Sequence, residues 1–206
     1  MCVLALRGEV TALALAEAEA LGFQTDVRHG RLAFGRRTDD LGMAAGTYAV
    51  LDGGGVLAWT SNEAFVASVV ERWEPPKGRV CVRVERLGGR MKDSSTQTIA
   101  RSLGRHLSDM ACVIDLDRPE HVLRVVLDAT SHHVGWGWDV PRPTREGVGA
   151  RRAGERPFFR PVSLDPYLAR TAVNLANGSR RGVLLDAMTG TGGFLIEGAL
   201  SGQETV

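Results

Sequence analysis

The chain has 206 residues, a formal net charge of +1, and 44% hydrophobic against 24% charged residues. This is the make-up of an ordinary globular protein, with enough length for one or two domains and an adequate core. No apolar run is long enough to span a bilayer, Met1-Cys2-Val3-Leu4 opens no cleavable signal pattern, and no membrane partner is expected. Cys2, Cys81 and Cys112 are odd in number and widely spaced, which argues against a disulfide framework and a Cys-x-x-Cys metal site. They read as small buried thiols in a reducing cytoplasm.

Taken in chain order, residues 2–6 read as a strand and residues 10–21 as an alanine-rich helix ended by Gly22. Short strands follow near 31–34 and 48–51, then a helix over 62–73. In that helix Ala64, Phe65, Ser68, Val69 and Arg72 recur at helical spacing, so Phe65 is core. The alternation predicts a small α+β unit over residues 1–74. Glu74-Pro75-Pro76-Lys77-Gly78 then reads as a linker, because consecutive prolines stop a helix and stiffen the chain.

The second block runs over about 79–145. Val80, Val82 and Val84 alternate with Cys81, Arg83 and Glu85, a half-buried strand with a basic outer face. Gly88-Gly89-Arg90-Met91-Lys92 is a positive loop, and Ser94 or Ser95 caps the helix after it. Ile99, Leu103 and Leu107 lie four apart on one face of that helix, with Arg101 and Arg105 on another. Residues 112–116 and 122–127 read as two apolar strands.

The distribution of charge says more than its sum. From Arg79 to Arg105, seven basic residues (Arg79, Arg83, Arg86, Arg90, Lys92, Arg101, Arg105) face only Glu85 and Asp93, a net of +5. From Arg142 to Arg160, six (Arg142, Arg145, Arg151, Arg152, Arg156, Arg160) face Glu146 and Glu155, a net of +4. Two basic regions on a neutral chain suit a polyanion, the alternative being solvated charge with no partner. A basic loop entering a helix N-terminus is a reasonable phosphate site.

His132 and His133 are adjacent and, in a strand, would point to opposite faces, so no metal is assigned to them. Trp136 and Trp138 either anchor a domain boundary or stack on bases. Near Arg156 the third block begins. Pro157-Phe158-Phe159-Arg160-Pro161 is extended by its prolines, and Ser163-Leu164-Asp165-Pro166 opens a helix with Ser163 or Asp165 as cap. Asn177-Gly178 stops it. Residues 183–185 are a buried strand running into a glycine loop.

That loop is informative for what it lacks. No Lys or Ser/Thr follows its last glycine, which excludes a P-loop, and Leu195 stands where a dinucleotide fingerprint needs its third glycine. What remains is Asp186-x-x-x-Gly190-x-Gly192. Its glycines admit close backbone approach, and its carboxylate favours a cationic or hydroxyl-rich ligand over a diphosphate. S-adenosyl-L-methionine suits both; a glycine turn with no ligand is the alternative.

The string Arg156-Pro157-Phe158-Phe159, Ser163-Leu164-Asp165-Pro166, Leu168-Ala169-Arg170, Asn174-Leu175, Leu185-Asp186, Gly190-Thr191-Gly192-Gly193 and Ile196-Glu197 resembles the archaeal-type tRNA (guanine(10)-N2)-methyltransferases. The second block is similar to their THUMP domain through Val82-Arg83-Val84 and Val113-Ile114-Asp115-Leu116. The first block resembles the ferredoxin-like unit that precedes it. The resemblance implies an α/β chain: a ferredoxin-like unit at 1–74, THUMP at 79–145, and the N-terminal part of a Rossmann-like methyltransferase domain at 156–206.

The resemblance also implies roles. Asp186, Met188, Thr189, Gly190, Thr191, Gly192 and Gly193 would contact S-adenosyl-L-methionine, with Phe159 and Ser163 on its methionine side. With tRNA as the polyanion, the two basic regions make Arg83, Arg86, Arg90, Lys92, Arg101, Arg105, Arg151 and Arg152 the residues expected to bind it. Ala187 and Thr189 replace the family's usual Pro and Cys, which leaves the backbone route open. The acid expected after the second strand and the (Asp/Asn)-Pro-Pro-Tyr-type motif that holds the guanine are absent from these residues, so none is assigned as catalytic. Continued sequence or a second polypeptide is expected to supply them. The residues beyond about 156 are expected to be poorly ordered in isolation, for want of a sheet to pack on.

Overall fold

The computed structural model describes residues 1–142, 147–155, 163–178 and 182–206. The chain divides into two compact units that interleave in sequence. One comprises Met1–Ala5, Thr25–Arg36 and Ala49–Val140, the other Leu6–Gln24, Arg37–Tyr48 and Pro141–Val206.

The elements in order are β1 (Cys2–Leu6), α1 (Thr11–Ala20), β2 (Gln24–His29), β3 (Leu32–Arg36), β4 (Thr47–Ala58), α2 (Asn62–Val70), β5 (Arg79–Leu87) and α3 (Thr96–Asp109). They continue with β6 (Val113–Ile114), β7 (His121–Asp128), β8 (His133–Asp139), α4 (Pro166–Asn177), β9 (Val183–Leu184), α5 (Gly193–Leu200) and β10 (Glu204–Thr205). The architecture is mixed α/β, as the sequence implies. The first unit is built on an eight-stranded sheet of order β2-β3-β1-β4-β8-β7-β5-β6. Its β5 and β7 run parallel with Val82 opposite Leu123 and Val84 opposite Val125, and α3 carries the crossover such a pair requires. β7 and β8 are antiparallel neighbours.

Alternation places Val80, Val82 and Val84 on the face toward α2 and α3. There they join Ile99, Leu103 and Leu107, all fully buried, with Phe65, Val69, Leu123, Val125 and Trp136. The four-residue spacing read from the sequence is therefore the packing stripe of α3. Ser95 caps that helix, its Oγ accepting from the Thr98 N–H at 3.1 Å, and Ser61 caps α2 by accepting from Ala64 N–H at 3.2 Å. Cys81, on the other face of β5, is also fully buried, so that strand is covered on both sides at its start and only half-buried further along. Burial pushes the Cys81 thiol above its ordinary value.

Three strand expectations need correction. The strand read over 48–51 runs on to Ala58, because Asp52-Gly53-Gly54-Gly55 is a bulge against β8 rather than a turn. A side chain at Gly54 would fall 1.8 Å from the Trp136 carbonyl oxygen, so only glycine lets the two strands approach there. The strand read over 112–116 shrinks to Val113–Ile114. Asp115 closes it with a turn, its Oδ1 accepting from the Asp117 and Arg118 N–H groups at 2.9 Å each. The strand read as buried over 183–185 covers only Val183–Leu184 and is largely exposed, with Leu185 70% exposed beyond it. β2 and β10 have no counterpart in the sequence reading.

In the second unit α4 packs against both α1 and α5. Asp165 caps α4 by accepting from the Tyr167 and Leu168 N–H groups at 2.9 and 3.2 Å, and Pro166 occupies its first turn. β9, α5 and β10 form a β-α-β unit with parallel strands, Val183 opposite Glu204 and Leu184 opposite Thr205.

Candidate functional site

The glycine loop leaves the carboxyl end of β9. The strand ladder extends one step past it, with Asp186 N–H donating to the Val206 carbonyl at 2.9 Å. The Asp186 side chain then turns the chain, its Oδ1 accepting from Met188 N–H at 3.1 Å, and Gly192 N–H closes the loop onto the Thr189 carbonyl at 2.7 Å. Gly190 and Gly192 have φ of 53° and 73°, the left-handed region that favours glycine.

Space above the loop is open. A side-chain carbon at Gly192 would meet nothing within 4 Å, and at Gly190 only the Met188 carbonyl at 3.8 Å. Gly192 leads into α5 without any side-chain cap, leaving backbone donors at the helix head. Gly193 is buried, with Leu164 3.5 Å from where its side chain would begin. The head of α4 and the head of α5 thus meet, which puts Ser163 in the segment flanking the loop. Met188 is 90% exposed, and Thr189 and Gly190 are exposed beside it. A strand-end carboxylate, two left-handed glycines with clear space above them and no lysine fit S-adenosyl-L-methionine better than a phosphate ligand. Phe159 lies outside the described residues.

The basic residues fall into different settings. Arg90 and Lys92 are exposed on the loop between β5 and α3, next to Arg86, whose Nη2 donates to the Ser94 carbonyl at 3.3 Å. That loop is pinned by Asn62 at the head of α2, which accepts from Ser95 N–H at 3.0 Å and donates to the Asp93 carbonyl at 3.2 Å. Arg101 and Arg105 are exposed, one helical turn apart on α3. Arg101 lines a groove of about 330 Å³ with Val82, Gly104 and Leu116, and Arg83 donates to the Leu116 carbonyl at 2.7 Å. Six of the eight residues expected at RNA are therefore strung along β5, its following loop and α3.

In the other unit, Arg152 is exposed and lines a cleft of about 750 Å³ with Arg7, Tyr167 and Thr171. Arg151 is turned inward onto buried Glu197, a bidentate pair at 2.7 and 2.9 Å. Arg145, Arg156 and Arg160 lie outside the described residues.

Some residues that organise these surfaces escaped the sequence reading. Asp128 is fully buried and gathers two turns: it accepts from Arg31 N–H, Thr130 N–H, and the Thr130 and Ser131 hydroxyls at 2.7–3.0 Å. Burial alone would raise its carboxyl, but the Arg31 N–H and the Thr130 and Ser131 donors outweigh it and hold the group below its ordinary value. His133 stacks on His29 with ring centroids 3.9 Å apart, while His132 sits in the preceding turn at φ 53°. Trp136 is buried in the sheet core and Trp138 stacks on Trp73 at 6.3 Å, which makes both packing residues. Among the described residues no three His, Cys, Asp or Glu side chains are placed to hold a metal ion.

Comparison with known proteins adds an independent line. Residues 153–206 match the model of an RMKL-like methyltransferase domain. The chain is 34% identical over 126 residues to the tRNA (guanine(10)-N2)-dimethyltransferase of Methanothermobacter thermautotrophicus, covering 61% of this chain and 36% of that protein. It is 29% identical over 106 residues to the protein of the same name from Pyrococcus abyssi, covering 52% and 31%. Among solved structures, TrmN from Thermus thermophilus superposes with a TM-score of 0.61 at 21% identity, over 96% of this chain and 61% of that one. A protein described as a possible methylase from Clostridium difficile 630 also gives 0.61, at 14% identity, over 97% and 54%. These structures share the fold. The chain is similar over part of its length to tRNA (guanine(10)-N2)-dimethyltransferases and spans about a third of the length of the curated relatives it matches.

Proposed function

We propose that this protein is a tRNA guanine-N2 methyltransferase, with S-adenosyl-L-methionine held at Asp186–Gly193 and tRNA along β5 and α3. One observation carries the reading. The segment matching a methyltransferase-domain model, residues 153–206, holds the strand-end acid and the open left-handed glycines that such a cofactor needs. When bound, S-adenosyl-L-methionine supplies the methyl group. Asp186 and the uncapped head of α5 would hold its polar groups, with Ser163 and Phe159 on the methionine side.

In this reading residues 1–74 are the ferredoxin-like unit, 79–145 the THUMP domain and 156–206 part of the methyltransferase domain. Arg83, Arg86, Arg90, Lys92, Arg101 and Arg105 neutralise tRNA phosphates, and Arg152 is a separate candidate for RNA. Arg151 is committed to Glu197 and is a weaker candidate for RNA. No residue of 1–206 is assigned to grip the guanine amino group, and the enzyme works in the reducing cytoplasm.

The test is tRNA filter binding across a salt series, together with methylation of a tRNA transcript using radiolabelled S-adenosyl-L-methionine. Affinity that falls steeply with salt, plus label recovered as N2-methylguanosine, is the expected result. Salt-dependent tRNA binding without methylation would leave an RNA-binding protein. Binding of neither tRNA nor cofactor would overturn the reading.

A further inference from the structure

Arg170 and Glu197 both belong to the motif string that carries the resemblance, yet neither has a role in it. The structure brings them together. Glu197 lies one turn beyond Gly193 in α5 and is fully buried. Its Oε1 accepts from Arg151 Nε at 2.7 Å, and its Oε2 accepts from Arg151 Nη2 and Arg170 Nε, each at 2.9 Å. Arg170 is only 3% exposed, and its Nη1 donates to Ser201 Oγ, which donates in turn to the Glu197 carbonyl at 2.8 Å. One carboxylate thus joins α4, α5 and the 3-10 turn Gly149–Arg151.

Such an arrangement is a poor way to gain stability alone, since desolvating three charges offsets most of their attraction and apolar side chains would pack as well. A forked, charge-assisted contact fixes distance and angle. Here the fixed elements are the two that meet at the loop: α5 begins at Gly193 and α4 begins beside Ser163, with Leu164 against Gly193. Farther along α4, Asn174 donates to buried Glu17 of α1 at 2.7 Å, an attachment made with neutral donors and remote from the loop.

We infer that Glu197 is a positioning residue for cofactor binding, holding the head of α5 against the head of α4 through Arg170 and Arg151; this rests on the cofactor reading above. It acts through its partners and does not touch the ligand.

The experiment is calorimetric titration of S-adenosylhomocysteine into the full protein and its variants, at a temperature where melting curves show each to be folded. Wild-type binding is the first requirement, and its absence overturns the cofactor reading and this inference with it. Given wild-type binding, Glu197→Gln is expected to weaken affinity about 10-fold or more, as loss of an orienting partner does elsewhere. The paired Arg170→Leu and Glu197→Leu variant separates positioning from stability. Recovered melting temperature with affinity still about 10-fold down supports the inference; recovered affinity overturns it alone. Should that pair not fold, Arg151→Lys keeps the charge and loses the fork. A loss of about 3-fold, smaller than for full removal of the partner because the charge is kept, then supports positioning, and unchanged affinity overturns it. Asn174→Ala serves as the stability control. It is expected to lower the melting temperature with affinity within about twofold of wild type, since it lies outside the orienting shell; an equal loss of affinity would overturn the inference.

Discussion

Asp128 and Glu197 are both fully buried carboxylates, one in each unit, and they are satisfied in opposite ways. Asp128 collects backbone N–H groups and hydroxyls from the turns around it. Glu197 collects two guanidinium groups from separate elements. The first fixes a corner of a sheet whose cohesion comes from an apolar core. The second lies in a unit of short helices and two-residue strands, where Glu17, Asn174, Arg170 and Glu197 are all buried. A region with a thin apolar core relies on buried polar keys to fix its geometry, and that region carries the glycine loop.

This contrast is broken most easily in the sheet's core. Leu103→Ala removes a fully buried side chain between α3 and the sheet and is expected to cost about 2–5 kcal/mol in denaturant unfolding. Arg170→Ala should cost a comparable amount, about 3–5 kcal/mol, because it leaves a buried carboxylate with a single partner. If Arg170→Ala were close to neutral, the second unit would not depend on its buried charges.

Asp128→Asn sharpens the same comparison and is expected to cost about 1–3 kcal/mol at neutral pH, by loss of acceptor capacity to four donors. Its pH dependence has a definite sign. The folded-state carboxyl titrates below its ordinary value, so its stabilisation is complete above the unfolded value of about 4 and is lost as pH falls through the folded one. The wild-type advantage over Asp128→Asn should therefore be flat above about pH 5 and shrink below about pH 4. An advantage that grows on acidification would contradict the geometry. The smallest effect concerns the surface: Arg101→Ala should leave stability within about 0.5 kcal/mol of wild type while reducing the salt slope of tRNA binding by about one.

Much of the first unit was legible because local rules set it. Ile99, Leu103 and Leu107 repeat at four, Ser95 caps, and Val80, Val82 and Val84 alternate. The glycine loop was legible because few ligands tolerate an acid at a strand end without a lysine. What escaped was non-local or too short. β2 is mostly exposed and polar, so it shows no alternation, and β10 has only two residues. Glu17 and Asn174 stand 157 residues apart, and no periodicity links them. Arg151 sat in a basic run that suggested RNA, while the buried acid that takes it up lies 46 residues on. The sequence also left residues beyond 156 without a surface to pack on, whereas the structure packs α4 against α1 within the chain.

The most direct test is photo-crosslinking with methyl-labelled S-adenosyl-L-methionine, followed by trypsin digestion and peptide mapping. Cleavage after Arg181 yields a peptide that begins at Gly182 and carries the whole glycine loop, with no Lys or Arg among residues 182–206. Label concentrated in that peptide, and displaced by excess S-adenosylhomocysteine, is the predicted result. No specific label, or label only in peptides from the β5–α3 region, would contradict the assignment of the cofactor to Asp186–Gly193.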